Sequence, residues 1–193
     1  MSPRADAVRS RERILEVARR HDARALRLND IAREAGVGIG TVYRHFPSVY
    51  ALVEALSADS LARLIDAAQK AAEQPDSLAA LRGFLEDALD LQLADAGLEA
   101  VLTDLARTDP VVHSECAAAR STVSSGYAEV LSRAQRDGVV RDDMSAAHLQ
   151  QLVCGIEHAV RLGTPGDRGV LLDIMLAGIR PVARLTPVAV AAG

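Results

Sequence analysis

Apolar residues along this chain recur every three or four positions, the spacing of one helix face, and few stretches alternate as strands do. A first helix is predicted from about Val8 to His21, with Ile14, Leu15 and Ala18 on its buried side. Met1 to Ala7 precede it as a loose arm that carries Arg4 toward a phosphate or minor groove. After a bend at His21 to Leu28 comes Asn29 to Phe46, which reads as two short helices at a sharp angle. Asn29 is the expected N-cap of the first, Ile31 and Ala35 share a face, and Gly36 supplies the left-handed residue that closes it. Val37 plugs the turn, and Gly38 caps the second helix, Ile39 to His45, which Pro47 stops.

Beyond Pro47, Ser48 caps a helix expected to run unbroken to Glu73, one rod from the N-terminal unit to the remainder. Asp76 caps a leucine-periodic helix to about Asp95, and Gly97 opens a segment from Leu98 to Arg107. Asp109-Pro110 starts a helix to about Arg136. Ser145 caps another to Leu162, and the last runs from Asp167 to Ile179. The expected fold is all-α: a three-helix, helix-turn-helix unit over residues 1–47 and a helical bundle over residues 48–193.

Helix, glycine turn, helix is an arrangement whose second helix enters the DNA major groove. Ile39, Val42 and Phe46 fall on the side expected to anchor that helix. Gly40, Thr41, Tyr43, Arg44 and His45 face outward and offer hydroxyls, a guanidinium and an imidazole to phosphates and base edges. A solvated helix face beside a small core is the bland alternative, and an exposed Tyr43 between such neighbours weighs against it.

Ile31-Ala32, Ala35-Gly36-Val37, Gly40-Thr41-Val42-Tyr43 and His45-Phe46 resemble the DNA-binding signature of the tetracycline-repressor (TetR) family of transcription regulators. Two positions depart from it. Gly38 stands where relatives commonly carry Ser or Thr, and Val49-Tyr50 where Lys or Arg followed by Glu is frequent. Tyr50 is expected to pack against the first helix rather than reach a phosphate. The resemblance implies a sequence-specific regulator bound to double-stranded DNA through Asn29, Gly38, Ile39, Gly40, Thr41, Tyr43, Arg44 and His45.

It further implies homodimerisation through the last two helices. Leu149, Leu152, Val153, Ile156 and Val160 form one stripe, and Val170, Leu171, Ile174 and Met175 lie on the other helix. Gly155 and Gly178 stand mid-helix where backbones that approach closely would tolerate them, at about 1 kcal/mol each relative to Ala. A small-molecule effector is implied in the bundle, with Phe84, Leu85, Leu89, Leu102, His113, Cys116 and Tyr127 as lining. With aromatics at 3% and no Trp, an aliphatic or modest-sized ligand is favoured. The full expectation is a repressor released from a palindromic operator by its ligand; the alternatives are a constitutive DNA binder without ligand and, behind it, a metal- or thiol-sensing regulator.

The formal charge of -4 divides unevenly. Residues 1–50 hold 10 Arg against 6 acidic residues, so a basic head precedes an acidic body. No apolar run reaches membrane-spanning length, and the start lacks an apolar signal segment, so the cytoplasm is the expected compartment. Cys116 and Cys154 make no disulfide framework. His113 with Cys116, and Cys154 with His158, share helical faces, but the spacing matches no zinc-ribbon pattern, and buried helical cysteines usually act as small hydrophobes. No nucleophile elbow, phosphate loop or His-Glu-x-x-His pattern occurs, and the carboxylates Glu86, Asp87 and Asp90 read as a solvated face. No enzyme, metal or cofactor is expected.

Overall fold

The computed structural model describes residues 3–103, 117–164 and 166–181. Three helices form the head: α1 (Pro3–Ala18), α2 (Leu28–Glu34) and α3 (Ile39–His45). They close around Ile14, Leu15, Ala18, Leu28, Ile31 and Val42, all buried. Helix α1 begins at Pro3, so the arm expected up to Ala7 is helical from that residue onward. Pro3 suits the start because a first-turn residue has no intrahelical N–H bond to lose.

The angle between α2 and α3 is set by Gly36, whose φ of 64° lies in the left-handed region that side chains avoid. There the Val37 N–H donates to the Ala32 carbonyl (3.0 Å) and the Gly36 N–H to that of Arg33 (3.3 Å), closing the helix end. Helix α2 starts earlier than predicted: Arg27 is its N-cap residue and makes no side-chain cap bond. Asn29 lies exposed in the first turn instead of capping it. The burial of Leu28 decides this, since a helix begun at Leu28 turns Leu28, Ile31 and Ala32 inward together.

The rod expected from Ser48 to Glu73 is two helices, α4 (Val49–Leu56) and α5 (Ala58–Glu73), joined at Ser57. Ser57 has ψ near 5° and is wholly buried. Its Oγ donates to Asp95 Oδ1 (3.2 Å), while Ser60 Oγ donates to Asp95 Oδ2 (2.7 Å). Beside this joint a Cβ on Gly97 would lie 2.8 Å from Val53 Cγ1, so only glycine lets the loop sit against α4. The break therefore comes from a tertiary clamp and from no helix-breaking residue in the rod.

The body continues with α6 (Ser77–Ala94), α7 (Leu98–Thr103), α8 (Ala117–Arg136), α9 (Ala146–Leu162) and α10 (Asp167–Gly178). Helix α5 packs on α6 and α8, α6 on α9, and α9 on α10. The predicted caps form: Ser48 Oγ accepts from Ala51 N, Asp76 from Leu78 N and Ala79 N, and Ser145 from His148 N. One apolar cluster runs without a gap from Ile14 in α1 to Ile179 after α10. The helix start expected at Asp109-Pro110 lies outside the described residues.

Candidate nucleic-acid interface

Helix α3 is held from beneath by Val42, fully buried, and by Phe46, which follows it in extended conformation before Pro47. Its other face is open. Tyr43 is 52% exposed, Arg44 is exposed, and Thr41 and His45 are half-buried. Ile39, expected to anchor the helix, is 39% exposed because it occupies the first turn, ahead of the point where α3 reaches α1. A Cβ placed on Gly38 or Gly40 would meet nothing within 4 Å, so the backbone at the start of α3 is unobstructed. The predicted DNA-facing residues thus gather on α3 and its N-cap, and Asn29 stands on α2.

Charge around α3 is positive. Arg11 of α1 lies over the Phe46 ring, 5.5 Å from its centre, and its charge acts on His45. Burial lowers the His45 pKa below its ordinary value, and the charges of Arg11 and Arg44 lower it further. The imidazole is therefore neutral near pH 7. Two other head arginines spend their charge locally, Arg20 on Glu16 (2.8 Å) and Arg33 on Asp30 (2.6 Å).

Residues 12–56 match the family model for bacterial regulatory proteins of the tetR family, and residues 75–181 match the C-terminal domain of SbtR-like transcriptional regulators. The chain belongs to the TetR family. Among solved structures, the TetR transcriptional regulator SCO0520 from Streptomyces coelicolor is 31% identical over 90% of this chain and 99% of its own, with a TM-score of 0.52. The TetR-family regulator PfmR from Thermus thermophilus (21% identity, 90% and 100% covered, TM-score 0.56) shares the fold. So does the ketosteroid transcriptional regulator KstR2 of Mycobacterium tuberculosis (22%, 89% and 96%, 0.58). No curated protein matches the chain. The protein is a DNA-binding TetR-family transcription regulator with an N-terminal helix-turn-helix and a helical C-terminal part.

In this TetR-family chain one charged contact ties the head to the body, and a second joins α4 to α8 within the body. Arg24, in the 3-10 turn Ala23–Ala25, lies 3.1 Å from Glu99 of α7 and 3.7 Å from Glu157 of α9. On α4, Glu54 is nearly fully buried and pairs with Arg120 of α8 (3.2 Å), which also donates to the Tyr50 hydroxyl and lies over the Tyr50 ring. The Tyr50 hydroxyl is thus engaged by α8. Sequence reasoning missed both contacts. A carboxylate at Glu157 inside the Val153–Val160 apolar stripe, with Arg161 four residues on, was the legible sign.

The suggested ligand lining is internal. Phe84, Leu85, Leu89, Leu102 and Tyr127 are all buried, and Phe84 meets Tyr127 edge-on at 4.7 Å. His113 and Cys116 lie outside the described residues. Cys154 is buried while His158, one turn on, is exposed, so these two do not converge. Among the described residues no group of three His, Cys, Asp or Glu is placed to hold a metal, and no helix is long and apolar enough to cross a membrane.

The suggested dimer residues divide by exposure. Leu149, Val153, Ile156 and Val160 pack inside their own chain, as does Met175. Leu152, Val170 and Ile174 are 41%, 61% and 63% exposed, and Leu171 is half-buried. With Ile156 and Met175, Leu152, Leu171 and Ile174 line an open groove of about 760 Å³ between α9 and α10. Gly155 and Gly178 meet nothing within 4 Å, so the close backbone approach expected of them does not occur within the chain.

Proposed function

We propose that this regulator is a homodimeric repressor that leaves a two-fold operator when a small molecule binds its body. The head, residues 1–47, would read DNA through Asn29 and the Gly38–His45 segment; the body, residues 48–193, would dimerise and sense. The observation that carries the reading is the open face of α3, where Tyr43, Arg44 and Thr41 project from a helix anchored by Val42. Dimerisation is supported by the large apolar side chains Leu152, Val170 and Ile174 left exposed along α9 and α10. Two α3 helices related by a two-fold axis would meet half-sites about one DNA turn apart. Ligand control is supported by the charged contact that joins head to body through Arg24, because a ligand shifts the equilibrium only if it favours one of two states. The compartment consistent with this role is the cytoplasm.

The test begins with footprinting of the purified protein on genomic DNA to find an operator. Tyr43→Ala and His45→Ala should each weaken operator binding at least about 10-fold, the equivalent of 1.4 kcal/mol. Melting temperature and dimer mass should stay near wild type. Undiminished binding by both variants at moderate salt would remove α3 as the reading element.

A further inference from the structure

Two fully buried side chains in the body carry hydrogen-bonding atoms without a protein partner, and they stand beside the contact that holds the head. Gln92 of α6 is wholly buried, and neither its amide nitrogen nor its amide oxygen has a partner among the described residues. Glu157 of α9 is equally buried; Arg161 Nε donates to its Oε1, while Oε2 has no hydrogen-bond partner among the described residues. One guanidinium links the two residues, because Arg161 Nη2 also donates to the Gln92 backbone carbonyl (2.9 Å). A buried carboxylate oxygen and a buried primary amide left unmatched are costly, and an incoming N–H donor would match the carboxylate oxygen and the amide oxygen.

The charges around Glu157 are arranged with a sense of direction. Its two guanidinium neighbours are the more exposed groups, with side chains 47% (Arg24) and 29% (Arg161) accessible against 0% for Glu157. Positive charge lies toward solvent and the carboxylate toward the interior. Cys154, one turn before Glu157 on α9, reports the field on the inner side. Its thiol pKa is pushed up to about 12 by burial first, then by Glu99 and Glu157. The charges of Glu99 and Glu157 act there against a further anion.

Along α6, Phe84, Ala88 and Gln92 follow at intervals of four residues and share one face. Phe84 and Ala88 are buried, and Tyr127 closes the Phe84 end with its hydroxyl also unpartnered among the described residues. Eight residues of helix separate Phe84 from Gln92, a span of about 12 Å. The row is apolar along its length and acceptor-rich at the Gln92 end.

We propose that Glu157 and Gln92 form a recognition subsite for the protonated nitrogen of an organic amine or amidine whose hydrocarbon part lies along the Ala88–Phe84 row. Glu157 Oε2 accepts a charge-assisted hydrogen bond, and the Gln92 carbonyl accepts a second from the same nitrogen. Arg24 shares the Glu157 carboxylate, so a bound cation competes with the arginine that ties the head to α9. The inference rests on the reading that a small molecule releases the operator, and names the chemical class of that molecule.

The experiment is calorimetric titration of the full-length protein, free of DNA, with four probes that share one tail: octylamine, octanamide, octan-1-ol and octanoate. Octylamine should bind at least tenfold more tightly than the others. Glu157→Gln and Gln92→Leu should each weaken it at least tenfold. Gln92→Leu removes two unmatched polar atoms and should melt no lower than wild type, so it carries the test if Glu157→Gln folds poorly. The proposal is overturned if octylamine does not bind, if octanoate binds as well, or if Gln92→Leu leaves octylamine affinity unchanged. Operator release is measured separately by anisotropy of labelled operator. Octylamine that binds without releasing DNA keeps the subsite and sinks the induction reading. Release by octanoate alone does the reverse.

Discussion

Arg24 Nη2 stands 3.1 Å from Glu99 Oε2 across a sequence separation of 75 residues, joining the turn between α1 and α2 to α7. The same guanidinium lies 3.7 Å from Glu157, whose carboxylate is fully buried. One arginine of the head is thus held by two body helices, and movement of α7 or α9 acts on the turn that precedes α2. A second charged contact, Arg120 on α8 with Glu54 and Tyr50 on α4, lies within the body and holds the helix that follows Pro47.

The two arginines on Glu157 should differ sharply when removed. Arg24 is about half exposed, and its loss should change unfolding free energy by less than about 1 kcal/mol. Arg161 donates directly to a fully buried carboxylate and to the Gln92 and Leu93 carbonyls. Arg161→Ala leaves that buried carboxylate without its hydrogen-bonded partner, with only half-exposed Arg24 at 3.7 Å, and should cost about 3 kcal/mol. Urea unfolding of both variants checks the contrast; equal losses would mean that Glu157 is hydrated in solution.

Local signals in the sequence were the ones that held. Gly36 with Val37, the side-chain caps Ser48, Asp76 and Ser145, and the Pro47 stop are written in neighbouring residues, and each forms. The break at Ser57 was illegible because serine is tolerated within helices. Its cause, Asp95 and the close approach of Gly97, lies about 40 residues away. Asn29 misled for a related reason. Its capping propensity is a local preference, and the burial of Leu28 with Ile31 outweighed it. The exposed side chains of α3 were read correctly from helical phase, apart from Ile39 at the first turn. The ion pairs of Arg24 and Arg120 join positions about 70 or more residues apart, which no single-sequence pattern can pair.

Assembly should separate two isoleucines that a periodicity plot treats alike. Ile174 is 63% exposed and Ile156 only 9%. Ile174→Asp places its charge in water when the chain is alone, so the variant should fold and sediment as a monomer. Ile156→Asp buries an unpaired carboxylate and should lose more than about 3 kcal/mol of stability. Sedimentation velocity with circular dichroism distinguishes the two, and a folded Ile174→Asp dimer would place the interface elsewhere.

His45 should make both folding and DNA binding respond to acid. Its folded pKa is lowered by burial, then by Arg11 and Arg44, so below the ordinary value of 6.5 the unfolded chain takes up the proton more readily. Stability should therefore fall as pH drops through 6.5 toward the lower folded value, and His45→Gln should flatten that slope. A phosphate beside the ring favours the charged form, so operator binding takes up a proton and tightens as pH falls over the same window. The check is wild-type and His45→Gln unfolding and operator titrations between about pH 7.5 and 5.5. A pH-independent difference between them would show that His45 does not titrate there.

Val49 opens α4 directly after the Ser48 cap and is 37% exposed. The start of that helix gathers free N–H groups and the positive end of its dipole, a natural seat for a backbone phosphate. Val49 brings no charge to it, and the hydroxyl of neighbouring Tyr50 is already taken by Arg120. Any phosphate contact at this helix start is therefore made by the backbone. Val49→Lys adds a cation beside the seat without disturbing a buried side chain. It should tighten binding to all DNA sequences alike and steepen the dependence of log affinity on log salt by about 0.9, one further counterion released. Discrimination between operators should not improve, because a phosphate carries no sequence information. Fluorescence anisotropy with operator and scrambled duplexes over a salt series reads both quantities. An unchanged slope would place residue 49 away from the DNA backbone and remove the start of α4 from the interface.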